Sequence, residues 1–154
     1  MGEKKVAHQL KFLGPEYKVL NGKTIRARAN HQEFDHVVIG PNGVFHIETK
    51  YWSGRVAFTE QGVEREGEKA AADPTAQLYR HEYILKELLK EIGVRADVVG
   101  VLCFAHPKAQ IEGKSPAFIT AKVDRLLHVI KSHKPKRPLS PKEVQHIFKH
   151  ISAQ

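Results

Sequence analysis

The sequence predicts a single mixed α/β domain in which helices flank a central sheet. First, runs of alternating or continuous apolar residues, typical of strands, are interspersed with segments whose apolar residues recur at helical spacing. Second, the 154 residues are 41% hydrophobic and 27% charged, which is enough for one core and leaves little room for a second. We therefore expect one domain over residues 1–154, with its core at about 2–120 and a basic helical part at about 121–154.

The first half of the chain is predicted to form one helix followed by strands. Apolar residues recur at helical spacing over residues 2–13 and are followed by the pair Gly14-Pro15. Extended segments come next, separated by turn-forming residues, at 17–28 (interrupted at Asn21-Gly22), 34–39, 44–51 and 55–59. The four-residue sequence 40–43, Gly-Pro-Asn-Gly, predicts a β-hairpin between two of these strands.

The second half is predicted to place helices around one buried strand. Asp73 and Pro74 have the residue types of an N-cap and a first helical position, so they predict the start of a long helix. Residues 98–104 form a continuous apolar run, which is typical of a strand buried on both faces. After a loop, we expect a helix from Ala121 and a last helix from Ser140-Pro141.

Composition excludes several classes of protein. No run approaches the roughly 18 to 20 apolar residues of a membrane-spanning helix, and the amino terminus becomes amphipathic too early for a signal peptide. The single cysteine, Cys103, excludes an internal disulfide framework and a zinc site made of cysteines. These features predict a cytoplasmic protein with no membrane partner.

The positive charge is concentrated in the last third of the chain. Residues 1–104 carry 15 Lys and Arg against 14 Asp and Glu, whereas residues 105–154 carry 10 against 3. Such a block is typical either of a phosphate-binding surface or of solvated helical faces, and charge alone does not separate the two.

Charged side chains converge on one face of the predicted hairpin. Side chains alternate along a strand, so Glu48 and Lys50 share a face. If Ile39 pairs with Val44, Asp35 lies opposite Glu48, with Cβ atoms roughly 4.5–5.5 Å apart. Two facing carboxylates repel each other, and Mg²⁺ would relieve the repulsion. This ion takes oxygen ligands from one or two carboxylates and keeps waters that a phosphate can replace.

Two simpler interpretations of the same pattern stay open. The three charged residues could be solvated surface groups, with Lys50 pairing with Glu48. A register that differs by two residues would bring Asp35 opposite Lys50 and still keep all three groups on one face.

The run FDHVVIGPNGVFHIETKYWSG, residues 34–54, resembles the signature of the nuclease-related domain (NERD) family within the PD-(D/E)xK nuclease superfamily. The resemblance is close over residues 34–55 and extends more loosely from Gly2-Glu3 to about Phe104. It implies a restriction-endonuclease-like αβββαβ core and metal-dependent hydrolysis of phosphodiester bonds, in DNA, with Mg²⁺ or Mn²⁺ as cofactor.

The resemblance also implies the roles of four residues in the hairpin. Asp35 and Glu48 match the metal-binding acidic residues of the family, and the carbonyl of Thr49 would be a further metal ligand. Lys50 matches the catalytic lysine, which could orient the attacking water or stabilise the developing negative charge.

Two further site residues are implied outside the hairpin. Glu3 occupies the place of an acidic residue near the metal, although an acidic residue in a helix's first turn is also favoured by the helix dipole. Gln77 matches a glutamine that contacts phosphate or water, although it could be an ordinary solvated helix residue. The chain departs from the pattern at Tyr51, where Asn is usual, and at His46, which would contact substrate or metal or be a partly buried residue satisfied by a neighbour.

Other candidates are predicted to be structural. Trp52 is expected in the core rather than stacked on a base, and Cys103 is expected to be an inert buried thiol. His146 and His150 are four residues apart on a predicted helix, but we expect a solvated face because no third ligand is evident.

The sequence therefore predicts a metal-dependent nuclease, and it leaves two alternatives. One is a catalytically silent module that binds nucleic acid on the same fold, and the other is a domain that binds an acidic protein. A homodimer would suit a nuclease that cuts both strands of a duplex, and the sequence does not decide the oligomeric state.

Overall fold

The computed structural model describes residues 2–70 and 72–154; Met1 and Ala71 lie outside the described residues. It is a mixed α/β fold with a central mixed sheet and helices on both faces, as predicted. The helices are α1 (Glu3–Leu10), α2 (Ala76–Glu91), α3 (Leu126–Ser132) and α4 (Pro141–Ser152). The strands are β1 (Lys18–Ala27), β2 (Asn30–Gly40), β3 (Gly43–Lys50), β4 (Gly54–Thr59), β5 (Gly62–Arg65), β6 (Glu68–Lys69), β7 (Val98–Phe104), β8 (Ala109–Glu112) and β9 (Ile119–Lys122).

The central sheet has the strand order β1-β2-β3-β7-β9, which makes β3 its middle strand. β1, β2 and β3 are antiparallel neighbours, whereas β7 is parallel to β3, and β9 is parallel to β7. The carboxyl ends of β3, β7 and β9 therefore lie at one edge of the sheet. A smaller sheet has the order β6-β5-β4-β8.

Each face of the central sheet is covered by helices from distant parts of the chain. On one face, apolar residues of α2 and α4 pack against β1 and β2. On the other face, α1 and α3 pack against β3 and β7. The last third of the chain contributes to both layers through α3 and α4, so it completes the core instead of forming a separate appendage.

The hairpin register is confirmed. Ile39 pairs with Val44, and Gly40 pairs with Gly43, so the connection is only Pro41-Asn42 and not the four residues expected. Asn42 is buried and its side-chain amide donates to the carbonyl of Ile130, which anchors the turn on α3. This contact fixes the turn end of the hairpin, which lies at the opposite end of β3 from Glu48 and Lys50.

Three sequence-based boundaries were wrong. Asp73 does not cap α2: its carboxylate accepts bonds from the main-chain and side-chain groups of Thr75, two residues on, and the helix begins at Ala76. The helix expected from Ala121 begins as a 3-10 turn at Val123–Arg125 that continues into α3 at Leu126, because residues up to Lys122 form β9 instead. β1 is not interrupted at Asn21-Gly22 but continues through it.

The last helix begins as predicted. Ser140 accepts a hydrogen bond from the main-chain N–H of Glu143, whose side chain bonds back to Ser140, and Pro141 is the first helical residue. In the part of the chain that the structure describes, no helix combines the length and apolar character needed to cross a membrane.

Candidate active site

The carboxyl end of β3 places three candidate residues in succession. Glu48 is 5% exposed and Thr49 is also buried, whereas Lys50 is half-buried at the strand's last position. Glu48 Oε2 has no hydrogen-bond partner among the described residues. A buried carboxylate oxygen without a partner is costly, so this position favours a cation or a proton.

The regular alternation of β2 side chains between the two faces of the sheet is broken at Asp35. Phe34 and Val37 both pack under α2, although residues three apart on a regular strand face opposite sides. The change occurs across from Gly22 of β1, which has a φ of +57°. Residues on either side of Gly22 keep one register with β2, so the irregularity is local.

This irregularity directs the carboxylate of Asp35 toward the end of β3. The ladder between β2 and β3 ends at the pair His36 and Ile47. One step further, Asp35 Oδ2 accepts a hydrogen bond from the main-chain N–H of Thr49, at 2.9 Å. The side chain of Asp35 thus takes the place of a main-chain acceptor of β2, which explains how Asp35 contacts Thr49.

Glu48 and Asp35 are coupled. Burial, followed by hydrogen bonding to Asp35 and by the negative charge of Asp35, raises the pKa of Glu48 to about 8, and the positive charge of Lys50 opposes this. Near neutral pH, without a cation, the carboxyl of Glu48 therefore keeps a proton that it shares with Asp35. A divalent cation in that place would satisfy both carboxylates.

The main chain of Thr49 adds a third oxygen on the same side. The carbonyl of Lys50 accepts from the N–H of Ala105, so it faces β7. Successive residues of a strand direct their main-chain groups to opposite sides, so the groups of Thr49 face β2, where its N–H meets Asp35.

The donor set fits a hard cation. Among residues 2–70 and 72–154, no three His, Cys, Asp or Glu side chains converge as a metal centre. The available donors are therefore two carboxylates and one carbonyl, together with the unpartnered Oε2 of Glu48. Mg²⁺ and Mn²⁺ are oxygen-seeking ions, and Mg²⁺ in particular is commonly held by one or two carboxylates with water and phosphate oxygens completing the shell.

The start of α1 lies against this end of β3. A Cβ atom on Gly2 would approach Ala105 Cβ to 2.6 Å and Thr49 Cγ2 to 2.7 Å, so only glycine allows this approach. Glu3 and Asp35 line a common surface hollow of about 360 Å³. The charge of Glu3 also contributes to the raised pKa of Glu48, after burial and Asp35.

Helix α2 covers the same end of the sheet from one face. The Nδ1 atom of His81 is 4.0 Å from Glu48 Oε2, and its ring stacks on Phe34 with a centroid distance of 4.0 Å. Gln77 is half-buried one turn before His81 on the same helix face, which directs it toward the site.

His81 is a site neighbour that the sequence analysis missed. Burial lowers the pKa of its imidazole to about 4, so the ring is neutral near pH 7. A main-chain group of Glu33 favours protonation of the His81 ring. Neither ring nitrogen of His81, however, forms a hydrogen bond of good geometry with a described residue. A signal was available, because His81 fills a position of the apolar stripe between Leu78 and Leu85.

His46 does not fit either expectation. It is fully buried, so no substrate can reach it, and neither ring nitrogen has a partner among the described residues. Burial lowers the pKa of His46 to about 3. Its ring lies beside Phe118 over Gly100, where a Cβ atom would approach His46 Cε1 to 2.9 Å.

The remaining candidates are structural, as expected. Trp52 packs near Phe104, and the guanidinium of Arg65 lies over its ring at 4.8 Å from the centroid. Cys103 is fully buried, and burial raises its pKa to about 12, which makes the thiol inert. His146 is exposed, whereas His150 pairs with Glu91 at 2.8 Å.

Two comparisons match most of the chain to known proteins. The family model described as nuclease-related domain matches residues 1–105, which contain every candidate site residue. An uncharacterized protein of Bacillus anthracis is 29% identical over 119 residues, which are 72% of this chain and 54% of that protein. The chain thus spans about half the length of this relative.

Proposed function

Because the chain belongs to the nuclease-related domain family, within the PD-(D/E)xK-like nuclease superfamily, we propose that it hydrolyses phosphodiester bonds in DNA with Mg²⁺ or Mn²⁺. The observation that supports this most is the coupling of Asp35 and Glu48 beside Thr49 at the end of β3. A buried carboxyl that keeps its proton beside a half-buried carboxylate is an arrangement in which a divalent cation would satisfy both groups.

Each residue of the cluster has a distinct task in this proposal. Asp35, Glu48 and the Thr49 carbonyl would hold the cation, and Glu3, which lines the same hollow as Asp35, adds negative charge to the site. The bound cation supplies Lewis-acid chemistry, polarising a phosphoryl oxygen and lowering the pKa of a water.

Lys50 and Gln77 act on substrate and water. The amino group of Lys50, two residues after Glu48, is placed to stabilise negative charge that develops on the phosphoryl group or to orient the attacking water. Gln77, at the start of α2, supplies an uncharged amide that donates to a phosphate oxygen. A single site cuts one strand at a time, so cutting a duplex in both strands would need two encounters or a second copy of the chain.

The proposal is tested by cleavage of plasmid, linear duplex, single-stranded, forked and four-way-junction DNA, with an RNA single strand beside them. Each substrate is incubated with Mg²⁺, with Mn²⁺ and with EDTA. Asp35→Asn and Glu48→Gln each replace a carboxyl group by an amide, which is a poorer ligand for the cation, with almost no change in shape. Glu60→Gln makes the same chemical change at an exposed turn between β4 and β5 and serves as the matched control.

We expect metal-dependent cleavage that falls at least 100-fold in Asp35→Asn and Glu48→Gln and is unchanged in Glu60→Gln. Cleavage that survives both site substitutions would contradict the proposal. DNA binding without any cleavage would also contradict it, and would identify a catalytically silent binding module.

A further inference from the structure

Two groups of basic residues lie at opposite ends of the central sheet. The segment 133–139 belongs to the amino ends of β3 and β7: His133 Nε2 lies 2.8 Å from Asp97 Oδ2, and the N–H of Leu139 donates to the Pro41 carbonyl. Asp97 directly precedes β7. The basic cluster Lys134, Lys136 and Arg137 is therefore remote from Glu48 and Lys50, which end β3.

The second group lies at the carboxyl ends of the parallel strands, beside the candidate site. Lys50 pairs with Phe104, which pairs in turn with Lys122, so the last residues of β3, β7 and β9 are in register. Lys122 Nζ donates to the carbonyl of Pro107 at 3.2 Å, just before Lys108.

Lys5 of α1 approaches the segment that follows β7 from the sheet face covered by α1 and α3. Its Nζ donates to the carbonyl of Ala105 at 3.3 Å. Lys5, Lys50, Lys108 and Lys122 thus surround the residues that directly follow β7, and we call these four lysines the carboxyl-edge row.

The carboxyl-edge row keeps its charge available. Within the described parts of the chain, none of its amino groups lies within 4.0 Å of a carboxylate. Lys5 and Lys122 contact only main-chain carbonyls in the bonds given above. In the distant cluster, by contrast, Arg137 is already paired with Glu143 at 2.7 Å.

The dimensions suit a nucleic-acid backbone. Neighbouring strands lie about 4.8 Å apart, so Lys50 and Lys122 are separated by roughly 10 Å across β7. Duplex DNA carries one negative charge per about 1.7 Å of axis, so this span faces several phosphates. From Val44 to Lys50, β3 covers roughly 20 Å, which separates the row from the distant cluster.

We propose that the carboxyl-edge row binds the DNA backbone beside the phosphate that is cut, and that the basic segment 134–137 does not take part. This inference rests on the proposed function for its partner, and it assigns DNA binding to lysines outside the acidic cluster. It also corrects the simplest interpretation of the charge distribution, because the most basic stretch of the sequence lies at the wrong end of β3.

The test compares two charge-removing double variants of equal size. Lys108→Gln with Lys122→Gln changes the carboxyl-edge row and leaves Lys50 intact, whereas Lys134→Gln with Lys136→Gln removes two charges from the distant cluster. Binding of the full chain to a fluorescent DNA duplex is measured by anisotropy in EDTA, so that no cutting occurs, over a series of salt concentrations.

We expect the carboxyl-edge pair to weaken binding at least tenfold and to reduce the slope of log K against log salt by about 1.8, since each lost phosphate contact contributes about 0.9. The distant pair should change affinity less than twofold and leave the slope unchanged. Equal losses in the two variants, a larger loss in the distant pair, or no DNA binding by the unmodified chain would overturn the inference.

Two further measurements separate the causes of a negative result. Lys108→Gln alone is the second variant if loss of the bond from Lys122 to Pro107 unfolds the chain, and it should reduce the slope by about 0.9. Cleavage by the unmodified chain and by Glu48→Gln is measured in parallel. If cleavage requires Glu48 but DNA binding does not depend on the carboxyl-edge row, the nuclease proposal holds and the inference about the row fails. If binding depends on the row but no cleavage occurs, the inference about the row holds and the nuclease proposal fails.

Discussion

Asp35 shows how an irregular strand position can direct a carboxylate to the end of a neighbouring strand. Regular alternation in β2 would orient Asp35 with Val37 on the face under α2. Instead the side chain of Asp35 accepts a hydrogen bond from the main-chain N–H of Thr49. The carboxyl of Glu48 is buried near this acid, and its pKa is raised to about 8. The protein accepts this cost at the place where we propose the cation binds.

Glu48→Gln should change how stability depends on pH. The pKa of Glu48 is about 8 in the folded chain against 4.5 for the ordinary group, so the folded state binds the proton more tightly. That stabilisation is complete below pH 4.5 and is lost as pH rises through about 8. The loss is on the order of 3–5 kcal/mol in the free energy of unfolding. In urea unfolding with EDTA, the free energy of unfolding of the variant relative to the unmodified chain should therefore increase from pH 5 to pH 9. A constant difference across this range would contradict the assignment, and Glu60→Gln should parallel the unmodified chain.

His81→Leu should make the protein less sensitive to acid. Burial lowers the pKa of His81 from 6.5 to about 4, so the unfolded chain binds the proton more tightly. The corresponding stability is present above pH 6.5 and is lost as pH falls toward 4. Between pH 6.5 and 4, the free energy of unfolding of the variant should fall less steeply with decreasing pH than that of the unmodified chain. The difference in slope should correspond to close to one bound proton, as measured by urea unfolding. Parallel curves would show that His81 is not buried in neutral form.

At the scale of the element, the sequence predicted what local patterns control. The hairpin of β2 and β3 and its register follow from alternation and from the Gly-Pro-Asn-Gly turn, and both are confirmed. The capping box of α4 likewise lies within four residues of sequence. These features depend on neighbours along the chain, so a pattern of residues is sufficient to find them.

What the sequence did not predict depends on partners elsewhere in the chain. β9 exists because it pairs with β7, and no local signal distinguishes residues 119–122 from the start of the helix that follows them. β8 similarly depends on its parallel pairing with β4. The break in side-chain alternation at Asp35 involves Gly22 on the neighbouring strand β1. The proximity of His81 to Glu48 depends on the packing of α2 against β3.

The contact between α1 and β3 gives a prediction for one glycine. Gly2→Ala would place a methyl group 2.6 Å from Ala105 Cβ and 2.7 Å from Thr49 Cγ2, so α1 must shift away from the end of β3. We expect a loss of about 1–3 kcal/mol in the free energy of unfolding, as in other overpacked sites. Thermal and urea unfolding measure it.

A double-mutant cycle tests that this loss comes from the named contact. Ala105→Gly removes one of the two methyl groups that a Cβ on Gly2 would meet, so it should recover part of the loss caused by Gly2→Ala. Strictly additive effects of the two substitutions would show that Gly2 does not pack against Ala105 in this way.

At the scale of the whole molecule, sequence position and spatial position diverge. The family match ends at residue 105, yet α3 and α4, which lie beyond it, cover opposite faces of the sheet. The basic stretch near residue 135 belongs to the amino ends of β3 and β7, whereas the acidic cluster lies at their carboxyl ends. The most basic stretch of the sequence and the acidic cluster therefore lie at opposite ends of β3, which the strand register shows and net charge does not.

We propose that Asp35 and Glu48 hold one divalent cation, which displaces the proton of Glu48. Isothermal titration of the metal-free chain with Mn²⁺ at pH 7, in two buffers of different ionisation enthalpy, measures both the binding and the protons released. This arrangement predicts one ion per chain and the release of close to one proton, because Glu48 is protonated at this pH. It also predicts no binding in Glu48→Gln. Binding without proton release, binding that survives in Glu48→Gln, or no binding by the unmodified chain would contradict it.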